Sequence, residues 1–119
     1  HTEIPIAVDE SLTDYSSAEK IIENQATDVF IIKPMVSGGF TDSKKIIDLA
    51  KTEKIKTIIT TSLETNIGRT ACLHLAAANE ITEVCGLATG ALLNEKTKAP
   101  IIENGLIQIP DIPGIGMGI

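Results

Sequence analysis

Four short apolar runs recur along the chain at near-regular spacing, at residues 4–8, 29–32, 57–61 and 84–87. The first three are β-branched and nearly continuous, the pattern of strands buried on both faces. Helical patterns fill the intervals. Ser16 and Glu19 have capping-box spacing ahead of Ile21 and Ile22. Thr41 is the predicted N-cap of a helix that carries Ile46, Ile47, Leu49 and Ala50 opposite a charged side. A third helix is predicted over 66–79, with Ile67, Ala71, Leu75 and Ala78 on its apolar stripe. Strands that alternate with helices imply parallel pairing through right-handed crossovers. The fold class is therefore α/β. After Gly90 the pattern gives way to a tail rich in Gly, Pro and Ile, where Asn104-Gly105 between 100–103 and 106–109 predicts a two-residue hairpin. Four parallel strands suit either a small open sheet or half of an eight-stranded barrel.

Composition narrows the function classes. The 119 residues are one domain's worth, 43% apolar and 22% charged, which argues for a buried core and against disorder. No apolar run approaches the ~18 residues of a membrane span, and no basic segment precedes an apolar one as in a signal peptide. A net charge of −6 disfavours nucleic acid as a partner. With aromatics at 3%, Phe30 and Phe40 among them, a stacking platform for single strands is also disfavoured. Cys72 and Cys85 are too few for a disulfide scaffold and lack zinc-site spacing. A cytoplasmic protein is expected.

Chemistry gathers at the carboxyl ends of the strands, where α/β folds bind their ligands. Asp9 offers a hard oxygen suited to Mg²⁺; an acidic turn in solvent is the alternative. Lys33 follows four apolar residues and precedes Pro34. Next to a cation its pKa should fall toward a useful acid/base range, whereas an ordinary surface lysine would do nothing. Gly38-Gly39 permits a tight turn or close backbone approach. The N–H groups around Ser62-Leu63-Glu64 could hold a carboxylate at a helix start, although Glu64 is equally explained as a helix-start acid. His74 reads as a packed or solvent-edge histidine, and Arg69 as a helix-surface charge. Phosphate-loop, Ser-His-Asp and metalloprotease motifs are absent.

In order, Ile-Pro-Ile-Ala-Val-Asp-Glu-Ser, Ile-Ile-Lys-Pro, Thr-Ser-Leu-Glu-Thr-Asn-Ile-Gly and Gly-Leu-Ala-Thr-Gly resemble the enolase superfamily, and within it the o-succinylbenzoate synthase family. The resemblance covers nearly the whole chain. It implies a modified TIM-like barrel beside an α+β capping domain, with Mg²⁺ held by carboxylates on the third, fourth and fifth strands. It makes Asp9 the fifth-strand metal ligand and Lys33 the sixth-strand lysine that stabilises an enediolate as a cation. A second-strand Lys-x-Lys supplies the acid/base in that family. Ser62 and Gly90 fall where the seventh and eighth strands contact substrate. The implied reaction is dehydration of a cyclohexadiene carboxylate (SHCHC) to o-succinylbenzoate, in menaquinone biosynthesis.

Two siblings share that metal chemistry, N-succinylamino acid racemases and dipeptide epimerases. The epimerases usually carry Asp-x-Asp on the eighth strand, where this chain has Gly86-Leu87-Ala88-Thr89-Gly90 with no acid. Nothing here matches the capping domain, the Lys-x-Lys strand or the other two metal carboxylates. A whole barrel is typically ~250 residues. The expectation is that residues 1–119 form strands five to eight plus the tail, with 106–113 resembling the return toward the capping domain. Such a half-barrel should pair with the missing N-terminal half or with a second copy, take a small carboxylate substrate, and be inactive alone. A non-catalytic half-barrel, or a stand-alone open-sheet binding domain, is the reading from outside enzymology.

Overall fold

A computed structural model describes residues 3–95 and 100–116. The element order is β1 (Ala7–Val8), α1 (Tyr15–Glu23), β2 (Val29–Ile32), α2 (Phe40–Thr52), β3 (Lys56–Ile59), α3 (Asn66–Ala78), a 3₁₀ turn over Thr89–Leu92, and a hairpin of β4 (Ile102–Glu103) and β5 (Leu106–Ile107). β1, β2 and β3 pair in parallel in that order. The run at 84–87 contributes a single parallel bridge, Thr60 with Gly86, and no full strand. Val84 is 92% exposed, whereas Leu87 is buried in the core and Cys85 packs against it.

Burial corrects the expectation of two covered faces. Along β2 and β3, Phe30, Ile32, Thr57 and Ile59 are buried, whereas Val29, Ile31 and Ile58 keep partial exposure and Lys56 is exposed. One face packs under the helices, where Ile46, Ile47 and Ala50 of α2 are fully buried. The other face is the one a closed barrel turns inward and fills with its remaining strands. β1 is shorter than the run that predicts it, with Ile4 72% and Ile6 43% exposed.

Helix starts differ from expectation in register. α1 is capped by Asp14, whose Oδ1 accepts from the Ser17 N–H at 2.7 Å while Ser17 Oγ accepts from the Asp14 N–H at 3.0 Å. The reciprocal box thus lies two residues before the predicted Ser16/Glu19 pair. α2 begins with Gly39, not Thr41, at its N-cap, because positive φ at Gly38 (89°) and Gly39 (86°) turns the chain early. A Cβ on Gly38 would press on Asp42 Oδ2 at 2.8 Å. α3 buries Thr70, Cys72, Leu73 and Ala76 as well as Leu75, and leaves Ile67, from the predicted stripe, 51% exposed. The predicted hairpin forms. Positive φ at Asn104 (51°) and Gly105 (77°) gives the turn whose twist matches its strands.

Candidate active site

The parallel register carries both leading candidates to one edge of the sheet. Ala7 pairs with Val29 and Val8 with Phe30, so the two-residue alternation puts Asp9 and Lys33 on the open face, beyond Val29 and Ile31. There Lys33 Nζ lies 2.6 Å from Asp9 Oδ1 and 3.3 Å from Glu10 Oε1. The Lys33 side chain is 22% and that of Asp9 31% exposed. The close Asp9 contact, with Glu10 behind it, raises the Lys33 pKa against the opposing effect of burial. Two carboxylate neighbours favour the protonated form of this lysine, whereas the fall expected beside a cation concerns the metal-bound site. Glu10 is lowered, first by a hydrogen bond from its own backbone and then by Lys33.

Asp9 Oδ1 is sequestered from solvent and faces the Lys33 ammonium at 2.6 Å. A carboxylate has lone pairs beyond the one that meets the ammonium, so Asp9 is a suitable donor for a hard divalent cation. Asp9 thus fits one position of a Mg²⁺ shell. Among the described residues no group of three His, Cys, Asp or Glu side chains converges to complete it.

At the end of β3 the side chains serve one another. Ser62 is half-buried, and its N–H donates to Glu64 Oε1 at 3.1 Å, so the carboxylate held at this helix start is the chain's own. Glu64, the acid just before the N-cap of α3, is 7% exposed, and its Oε2 accepts from Cys72 Sγ at 3.4 Å. Burial, reinforced by Glu64, pushes the Cys72 thiol up to about 12. Thr61 Oγ1 meets Thr89 Oγ1 at 2.8 Å and also bonds the Gly86 carbonyl at 3.2 Å, tying the end of β3 to the 86–89 segment. Beside these groups an apolar cleft of about 440 Å³ opens between the β2–α2 and β3–α3 loops, walled by Pro34, Met35, Phe40 and Leu63.

Gly90 lies against Arg69, and a Cβ there would collide with the guanidinium Nη1 and Cζ. Arg69 is not the surface charge the sequence suggests, being 3% exposed. Its Nε donates to the Leu87 carbonyl at 3.1 Å and its Nη1 to Asn66 Oδ1 at 2.7 Å. No local sequence signal marks it, since the acceptor at Leu87 lies 18 positions away. His74 is half-buried, as expected of a packed histidine, with Nε2 3.1 Å from the Ile115 carbonyl oxygen. The structure thus brings Asp9 to Lys33, and places Ser62 just beyond the end of β3 and Gly90 in the 3₁₀ turn that follows the Gly86 bridge.

Parallel strands with ionisable groups at their carboxyl ends define an α/β barrel-type half-site. The chain belongs to the enolase C-terminal domain-like family, whose pattern matches residues 1–119. It is 33% identical to the N-succinylamino acid racemase of Thermus thermophilus over 97% of its own length and 31% of that protein. It is 30% identical to the o-succinylbenzoate synthase of Mycobacterium tuberculosis, over 82% of this chain and 29% of that one. The L-Ala-D/L-Glu epimerase of Bacillus subtilis superposes with a TM-score of 0.86 at 29% identity, covering 98% of this chain and 33% of the epimerase. The chain therefore spans about a third of the length of the relatives it matches. Family members of this kind are catalytic, and synthases, racemases and epimerases all stand at similar distance. Among the described residues no helix is long and apolar enough to cross a membrane.

Proposed function

We propose that this chain supplies the carboxyl-terminal strands of the active site of a Mg²⁺-dependent enzyme that forms an enediolate from a small carboxylate substrate. The leading reading is o-succinylbenzoate synthase. The observation that carries the proposal is the Asp9–Lys33 pair, 2.6 Å apart on the open face at two adjacent strand ends. Asp9 would give one oxygen to the metal. Mg²⁺, when bound, supplies positive charge that stabilises an enediolate. Lys33, kept protonated by its carboxylate neighbours, presents a second fixed cation to the same developing charge. Ser62 and Gly90, at the next two strand ends, would border the substrate. The other metal carboxylates and the acid/base lysines would come from the complementary strands.

N-succinylamino acid racemisation is the second reading, supported by the 33% identity to a racemase over nearly the whole chain. Dipeptide epimerisation is less well supported, because residues 86–90 offer no carboxylate to grip a substrate ammonium. The test is a paired assay of SHCHC dehydration and N-succinylamino acid racemisation with Mg²⁺, in the enzyme assembled with the rest of its barrel. Asp9→Asn and Lys33→Met should each lower kcat/KM by roughly 10²–10⁴-fold in whichever reaction the wild type performs. Wild-type rates in the Lys33→Met variant would overturn the assignment.

A further inference from the structure

Arg69 is the only lysine or arginine among the described residues that is buried, and nothing in the chemistry above uses it. We propose that Arg69 is a positioning residue, which sets the Leu87–Gly90 segment against the substrate from behind. The inference rests on the reading that this strand end borders the substrate. Its ties to the sheet gather at its start, where Gly86 exchanges backbone hydrogen bonds with Ile59 and Thr61 and the Leu87 side chain is buried in the core. A single bridge at Gly86 stands in place of a full ladder, and further along the Thr61–Thr89 hydroxyl contact is the polar tie to the sheet. Arg69 supplies what the ladder lacks, since its Nε donates to the Leu87 carbonyl while Asn66 Oδ1 holds its Nη1.

The same first turn of α3 also holds the chain beyond that segment. The Asn66 N–H donates to Glu95 Oε2 at 2.6 Å, so residues 66 and 69 clamp both ends of the stretch from Leu87 to Glu95. The carboxylate also lies where the positive end of the helix dipole favours it. Gly90 is then glycine for a stated reason, because the guanidinium fills the space its Cβ would take. Arg69 and Gly90 make one device, an arginine that needs a glycine opposite it. Lysine cannot replace it fully, having a single ammonium where the planar fork meets acceptors on two elements.

The test compares Arg69→Met, Arg69→Lys, Gly90→Ala and the Arg69→Met/Gly90→Ala double variant in the assembled enzyme. Steady-state kinetics, the Mg²⁺ dependence of the rate and amide exchange over 87–92 are the measurements. Arg69→Met should raise KM and speed exchange at 87–92 by about tenfold, the size of one lost charge-assisted hydrogen bond. The Mg²⁺ dependence should not move, and Arg69→Lys should recover part of the KM. Gly90→Ala should be damaging alone and add little to Arg69→Met, the non-additivity expected of two groups that share one space. Wild-type KM and exchange in Arg69→Met, or additive effects of the two substitutions, would overturn the proposal. If Arg69→Met does not fold, Gly90→Ala and Arg69→Lys decide it by exchange at 87–92. Absence of turnover by the wild type on either substrate would count against the proposed function alone, because exchange and non-additivity still decide the role of Arg69.

Discussion

A thiol that is 2% exposed, with a carboxylate oxygen 3.4 Å away, has little access to its anion. Cys72 is therefore held protonated in the fold, its pKa moved from the ordinary 9.0 to about 12, and ionises more readily in the unfolded chain. Between those values the folded state binds the additional proton, so this contribution to stability is complete below pH 9 and is lost as pH rises toward 12. Thermal midpoints across that window should fall more steeply for the wild type than for Cys72→Ala. A disulfide-exchange reagent at pH 8 should reach Cys72 only after denaturation; rapid native labelling of Cys72 would contradict the burial. At this scale the sequence was legible where chemistry abuts an apolar run. Asp9 and Lys33 stand out because four-residue or longer hydrophobic stretches lead into them. Arg69 and Glu64 were opaque, because what buries each is contributed by a distant or folded-back segment: Gly90 and Leu87 for one, the Ser62 N–H and Cys72 for the other.

Elements were legible in kind and less so in register. β2 occupies the residues its pattern predicts, since Val29–Ile32 has a paired neighbour on each side. The run at 84–87 reads equally well as a strand but forms only a bridge, because pairing depends on a neighbour that periodicity does not supply. The start of α1 is displaced from Ser16 to Asp14, where Ser17 closes a reciprocal box with the cap. That choice brings a pH dependence. The Ser17 backbone N–H, with smaller help from the Ser17 and Thr13 hydroxyls, holds the Asp14 carboxyl below its ordinary 3.8. A lowered folded pKa gives stability that is present above 3.8 and lost as pH falls through the lower folded value. Helicity of α1, followed by amide exchange at 17–20, should therefore weaken on acidification below that point. Asp14→Asn, which caps without titrating, should flatten the response. An identical acid response in both proteins would show that Asp14 does not control this helix.

For the molecule as a whole, the sheet is open where a barrel is closed. Among the described residues β1 has a neighbour on one side only, and beyond β3 the pairing shrinks to the Gly86 bridge. The open face of β2 and β3 leaves Val29, Ile31 and Ile58 partly exposed, and Asp9 and Lys33 stand on it with one carboxylate and one cation. Unpaired edges and bare apolar faces are what sheets bury by association. Completing the barrel would cover both edges and bring further donors to Asp9 in one step, so folding and catalysis should share a single requirement. Mixing the 119-residue chain with a separately produced first half of a related barrel should give a one-to-one complex by native mass spectrometry. Mg²⁺-dependent turnover should appear only in that mixture. The chain alone should self-associate at micromolar concentration and show no turnover. A strictly monomeric chain in sedimentation that unfolds cooperatively and ignores the added half would show that its open face is stable in water. Turnover by that monomer would mean that Asp9 and Lys33 need no complementary strands.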